Sequence, residues 1–116
     1  LVPLIEEGWL RDEVTKVVVR RYLDELIDSQ IDTLVLGCTH YPLIKELIGE
    51  LYPEVNLIDS AQAVAAEVKR NLPVRKEGGE GSVKILVSDK TERFERIARM
   101  IMGQEVEVEE VNIDKE

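Results

Sequence analysis

The ten residues LVLGCTHYPL, positions 34–43, decide the fold. With Asp32 and Thr33 in front they give the run DTLVLG at 32–37. That run is short, continuous and apolar, the pattern of a strand buried on both faces. Gly37 then allows the backbone to turn and a ligand to approach closely. Pro42 has its φ preset for the first turn of a helix. Ile44, Leu47, Ile48 and Leu51 give that helix one apolar face, and Pro53 stops it. The stretch therefore reads strand, turn, helix.

The same alternation continues outward in both directions. Upstream, Val14, Val18, Val19, Tyr22, Leu23, Leu26 and Ile27 recur at helical spacing between Asp12, the expected N-cap, and about Gln30. Ahead of them the apolar LVPLI at 1–5 reads as the end of a strand, broken by Glu6, Glu7 and Gly8. Downstream, Val55 to Ile58 is a second short strand, and Asp59 or Ser60 caps an Ala-rich helix through about Leu72. PVRKEGGEG at 73–81 is expected to be a flexible loop. Val83 to Val87 is a third strand. Phe94, Ile97, Ala98 and Ile101 mark a helix ended by Gly103. Val106, Val108 and Val111 alternate with acids as an edge strand, so the acidic run Glu105 to Glu110 is a solvated strand face. The order is β-α-β-α-β-α-β-α-β with a partial first strand, which means an α/β fold with a mainly parallel sheet and flanking helices. Ligands in such folds sit beyond the carboxyl ends of the strands.

The 116 residues suffice for one small domain, and a hydrophobic fraction of 44% argues against disorder. With 24 acidic against 15 basic residues the net charge is −9, which repels phosphates and makes nucleic acid a poor partner. No apolar run approaches the roughly 20 residues that span a bilayer. The opening LVPLIEEGWL carries no basic leader region, and a start at Leu1 rather than Met points to a true N-terminus further upstream.

Cys38 is the sole cysteine, so an internal disulfide is impossible and a reducing compartment fits best. It follows a strand directly and precedes a helix start, where the helix dipole favours a thiolate and free amides can bind a carboxylate. A free cysteine is commonly just a small buried residue, but this placement favours chemistry. His40, two residues on, can act as a general acid or orient a substrate group; its plainer role is helix capping. A metal site is disfavoured because no second cysteine or histidine completes a coordination shell. A cysteine-hydrolase pair is a minor alternative, since such pairs are usually distant in sequence. Glu6 and Glu7, placed at a strand's carboxyl end, could assist proton transfer or be an ordinary solvated pair. Asp59 and Ser60 read as helix caps.

The string LVLGCTHYPL resembles the second signature of the glutamate racemases, cofactor-independent enzymes that interconvert L- and D-glutamate. VPLIEEG at 2–8, LIDSAQAVAAEV at 57–68 and the later SDKTERFERIARMIMG resemble further segments of that family in the same order. The resemblance implies two cysteines on opposite faces of the substrate's α-carbon, one acting as thiolate base and one as thiol acid. On it Cys38 is the cysteine of the second half, His40 and Glu6 assist catalysis, and Thr39 with His40 contacts substrate. No cofactor and no metal are implied. The family's opening Asp-Ser-Gly segment and its other cysteine, beside Asn and Thr, do not occur in this sequence. The resemblance further implies incomplete pieces of two pseudo-symmetric Rossmann-like domains, 1–60 from the second and 61–116 returning to the first. It makes the expected partners glutamate and a missing N-terminal part of the same enzyme, allows a homodimer of the full enzyme, and places it in the cytoplasm supplying D-glutamate for peptidoglycan. His40 argues against aspartate as substrate, because aspartate racemases are expected to carry glutamate there. Two readings stand beside it: a non-catalytic α/β anion-binding module, and a related racemase or isomerase acting on another small acid.

Overall fold

A computed structural model describes residues 1–72 and 81–112 of the chain. The chain divides into two compact units, Leu1–Val74 and Arg75–Glu116, each with its own pair of parallel strands. The expected loop at 73–81 lies, but for Gly81, outside the described residues.

The first unit opens with a short helix, α1 (Val2–Glu6), and this corrects the expected strand at 1–5. Pro3 sits in the first turn, where its fixed φ suits a helix and its missing N–H costs nothing. Gly8, at φ 80°, ends the segment in the left-handed region, and the Trp9 N–H returns to the Leu4 carbonyl at 3.0 Å. Five apolar residues carry no periodicity that separates strand from helix, and the proline and glycine decided it. Glu6 thus lies at the end of a helix, not of a strand.

Helix α2 (Glu13–Asp28) begins at Asp12, whose carboxylate accepts the Val14 N–H at 2.8 Å. The buried Thr15 hydroxyl donates to the Trp9 carbonyl at 2.6 Å, fixing the approach to the helix. Strand β1 (Thr33–Leu36) pairs in parallel with β2 (Asn56–Asp59), with Leu36 in register with Asp59. Between them run a 3₁₀ turn (Tyr41–Ile44) and helix α3 (Lys45–Leu51). Ile5, Val19, Leu36, Ile44, Leu47, Ile48, Tyr52 and Val55 form one buried cluster. The Tyr52 hydroxyl donates to Asp24 at 2.5 Å; burial first, then that bond, pushes the phenol up to about 12.

The expectation that 32–37 is buried on both faces is corrected. Leu34, Leu36, Leu57 and Asp59 face inward, whereas Thr33, Val35, Asn56 and Ile58 are exposed on the other face. Val35 is 64% and Ile58 44% exposed, although the two are register partners. Asp59 also caps α4 (Ser60–Asn71), which buries no residue.

In the second unit, β3 (Lys84–Val87) pairs in parallel with β4 (Glu107–Glu110). Helix α5 (Glu92–Met102) connects them; Thr91 accepts the Phe94 N–H at 3.1 Å, and Gly103 closes it at φ 65°. Ala98 and Val108 are buried, while Glu107 and Glu109 face solvent beside Lys84, as the alternation at 106–111 predicts. The Glu109 carboxylate raises the Lys84 ammonium above the ordinary lysine value. Parallel pairing and flanking helices thus follow the reading of the sequence, as two strand pairs among the described residues.

Candidate active site

Beyond Leu36 the chain leaves β1 and crosses its carboxyl end as Gly37, Cys38, Thr39 and His40. Two backbone bonds shape this loop: the Tyr41 N–H reaches the Cys38 carbonyl at 3.1 Å, and the Leu43 N–H reaches the His40 carbonyl at 3.1 Å. His40 is therefore the N-cap residue of the 3₁₀ turn, with helical φ and no side-chain capping bond, which leaves its ring for other work. Gly37 is exposed, has no left-handed φ, and a Cβ placed on it meets no atom within 4 Å.

The imidazole lies between a thiol and a carboxylate. Its Nδ1 is 3.9 Å from Cys38 Sγ, and its Nε2 is 3.2 Å from Glu6 Oε1. Glu6 reaches it because α1 packs against the 3₁₀ turn, anchored by the buried Ile5. All three side chains are partly buried: His40 is 35% and Glu6 32% exposed, and Cys38 is intermediate. With Nε2–H donating to the Glu6 carboxylate, Nδ1 presents a lone pair to the thiol. Carboxylate, imidazole and thiol in this order can take a proton from sulfur and hold it. The contact of 3.9 Å is long, as pairs of this kind often are before substrate closes on them.

Three residues singled out from sequence, Glu6, Cys38 and His40, are thus brought together from positions up to 34 apart. Thr39 lies exposed on the same loop. An apolar groove of about 370 Å³ opens beside it, lined by Leu34, Leu36, Tyr41, Ile44 and Ile48 among others. On the other side a hollow of about 560 Å³ includes Pro42, Lys45, Asp59 and Gln62.

Lys45 was not singled out from sequence, and Asp59 only as a cap. Lys45 Nζ donates to Asp59 Oδ2 at 2.6 Å and to Gln62 Oε1 at 3.0 Å, while Asp59 Oδ1 accepts the Gln62 N–H at 2.7 Å. The bond from Lys45, and then the amide of Gln62, hold the Asp59 carboxyl below the usual carboxylate range. The two partners are 14 residues apart, Lys45 at the start of α3 and Asp59 at the end of β2. Among the described residues no helix is long and apolar enough to cross a membrane.

No family model matches the chain. Individual relatives do. It is 40% identical to the glutamate racemase of Persephonella marina over 115 residues, 98% of this chain and 43% of that protein. With the glutamate racemase of Aquifex aeolicus the identity is 42% over 106 residues, 91% of this chain and 40% of the other. Two crystal structures agree. Glutamate racemase from Thermus thermophilus, in complex with β-chloro-D-alanine, superposes with a TM-score of 0.75 at 34% identity, covering 97% of this chain and 45% of that one. The enzyme from Francisella tularensis, in complex with D-glutamate, gives 0.74 at 31%, covering 97% and 44%. The chain spans less than half the length of these proteins. By sequence over nearly its whole length, and by fold, it is a relative of the glutamate racemases, corresponding to less than half of each.

Proposed function

We propose that this chain supplies one thiol face of a glutamate racemase, which interconverts L- and D-glutamate without a cofactor and provides D-glutamate for peptidoglycan in the cytoplasm. The observation that carries this is the Glu6–His40–Cys38 line at the carboxyl end of β1, in a chain resembling racemases throughout. A substrate α-proton flanked by an ammonium and a carboxylate is hard to remove, and a thiolate held close and shielded from water is a suitable base. Cys38 is that base in one direction. His40 takes the thiol proton at Nδ1, and Glu6 steadies the ring through Nε2. The Cys38 thiolate then accepts the α-proton while a thiol on the opposite face delivers another. After turnover Cys38 is a thiol carrying the α-proton and the opposite sulfur is a thiolate; before the next turnover in the same direction the His40 imidazolium releases its proton to solvent and the opposite thiolate takes one up. Thr39 and the loop amides hold the substrate's carboxylate.

The second thiol has no source in a chain with one cysteine. It belongs to the remainder of a longer enzyme, which also supplies the other wall of the site and can pair as a homodimer. In that enzyme residues 1–60 form part of one domain and 61–116 return to the other. Positioned acid-base groups contribute about 10²–10⁴-fold each, so serving one face alone leaves little rate. Residues 1–116 by themselves are therefore expected to show no measurable racemisation. Joined to the amino-terminal part of a racemase they gain activity, which Cys38→Ala abolishes in both directions without unfolding the chain. Circular dichroism of glutamate reads the turnover, and deuterium uptake at the α-carbon reads each half-reaction. Robust turnover by the isolated chain, or full activity of the assembled Cys38→Ala enzyme, would sink the two-thiol reading.

A further inference from the structure

We propose that Lys45 and Asp59 are positioning residues for the thiol loop, a clasp that holds Cys38 within reach of His40. The inference rests on the reading of Cys38 as the working thiol and concerns a pair the proton path above does not use. Asp59 is a carboxylate whose side chain is only 2% exposed, at the last position of β2. One of its oxygens starts α4 through the Gln62 N–H, and the other takes the Lys45 ammonium. Lys45 is the first residue of α3. In the backbone, Asp59 stands in register with Leu36, the last residue of β1. Residues 37–44, which include the whole thiol loop, are thus closed between Leu36 and Lys45. Asp59 holds both ends, one by strand register and one by a partly buried ion pair.

Within the span Ile44 is buried in the core and Tyr41 and Leu43 pack against it, whereas the stretch before them has no such anchor among the described residues. Gly37 is exposed, and Thr39 is exposed. The thiol–imidazole separation is already 3.9 Å, so a shift of the 3₁₀ turn by a fraction of an ångström decides whether His40 can take the sulfur's proton. The Asp59 side of the pair is buried and the Lys45 side chain is 27% exposed, so the pair is screened less than one on the open surface. A hollow lined by Pro42, Lys45, Asp59 and Gln62 lies beside the pair, and on that face the clasp adds to the anchor that buried Ile44 provides.

The test uses the 116-residue chain itself, whose single cysteine and single histidine make every signal unambiguous. Cys38 is alkylated with iodoacetamide across a range of pH, in the parent chain, His40→Ala, Lys45→Met, Lys45→Arg and Asp59→Asn, with circular dichroism confirming the fold of each. The parent is expected to react several-fold faster than His40→Ala near neutral pH and equally fast at high pH, where hydroxide alone makes the thiolate. Lys45→Met should lose that neutral-pH advantage while keeping the high-pH rate, and Lys45→Arg should recover it. A merely structural loss would instead expose the thiol and raise the rate at every pH. Asp59→Asn keeps an oxygen for the Gln62 N–H but weakens the grip on Lys45, so it gives the same loss even where Lys45→Met proves unstable. A parent-like profile in folded Lys45→Met and Asp59→Asn overturns the clasp and leaves the racemase reading intact. No difference between parent and His40→Ala overturns the thiol–imidazole contact, and the clasp with it. Racemisation by the assembled enzyme is measured separately, so the two readings fail independently.

Discussion

Gly37 separates what the fold needs from what the site needs. Gly8 and Gly103 hold left-handed φ values that a side chain would strain, but Gly37 holds none and has open space where a Cβ would go. Nothing among the described residues demands glycine there, which fits the close approach of substrate proposed above. Gly37→Ala is therefore expected to leave the stability unchanged or slightly raised, by up to about 1 kcal/mol. In the assembled enzyme it should raise KM for glutamate about tenfold, a loss of about 1.4 kcal/mol. Thermal melts and initial rates check the two halves. Tyr52 offers a test of a different kind. Its phenol titrates near 12 in the folded chain against 10.0 ordinarily, so its contribution to stability is complete below pH 10 and lost as pH rises through 12. Urea midpoints measured between those values should fall for the parent and fall less for Tyr52→Phe.

At the scale of elements, much was legible and the misreadings have physical causes. The caps at Asp12 and Asp59 and the stop at Gly103 were legible because a cap needs one residue type at one place. The candidates Cys38, His40 and Glu6 lie together, His40 having been singled out by nearness to the cysteine and Glu6 by resemblance and by a strand that proved to be a helix. The misread segment 1–5 shows how little five apolar residues determine when Pro3 sits among them. Lys45 was invisible, since its partner lies 14 residues away at the end of β2, a pairing that no local pattern announces. The cap at Asp12 can be weighed directly. Asp12→Ala removes the acceptor for the Val14 N–H and should cost about 1 kcal/mol. Trp9, the sole tryptophan, has its carbonyl bound to Thr15 in the first turn of that helix. Its fluorescence during urea unfolding should report the loss as a lower midpoint.

At the scale of the whole molecule, the chemistry proposed is half of an exchange. One thiol can take a proton from one face of a carbon, but inversion needs delivery to the other. The site is accordingly built as a wall rather than a pocket: a loop over the end of β1, a histidine behind the sulfur, and a carboxylate behind the histidine. The relatives that match this chain are more than twice as long, which accords with a second wall carried elsewhere.

The uncovered face of the first strand pair has a consequence for handling the protein in solution. Parallel sheets are ordinarily covered on both sides, yet Val35 and Ile58 stand adjacent and wet. Such a surface is adhesive, and what holds copies apart is the net charge of −9. That repulsion reaches only about 10 Å at 0.1 M salt and about 3 Å at 1 M. The chain should therefore stay dispersed in dilute buffer and associate as sodium chloride is raised, seen as growing light scattering at constant protein concentration. Replacing both Val35 and Ile58 by threonine should keep the strands and remove the salt response, making this face, and not the charge, the seat of colloidal instability.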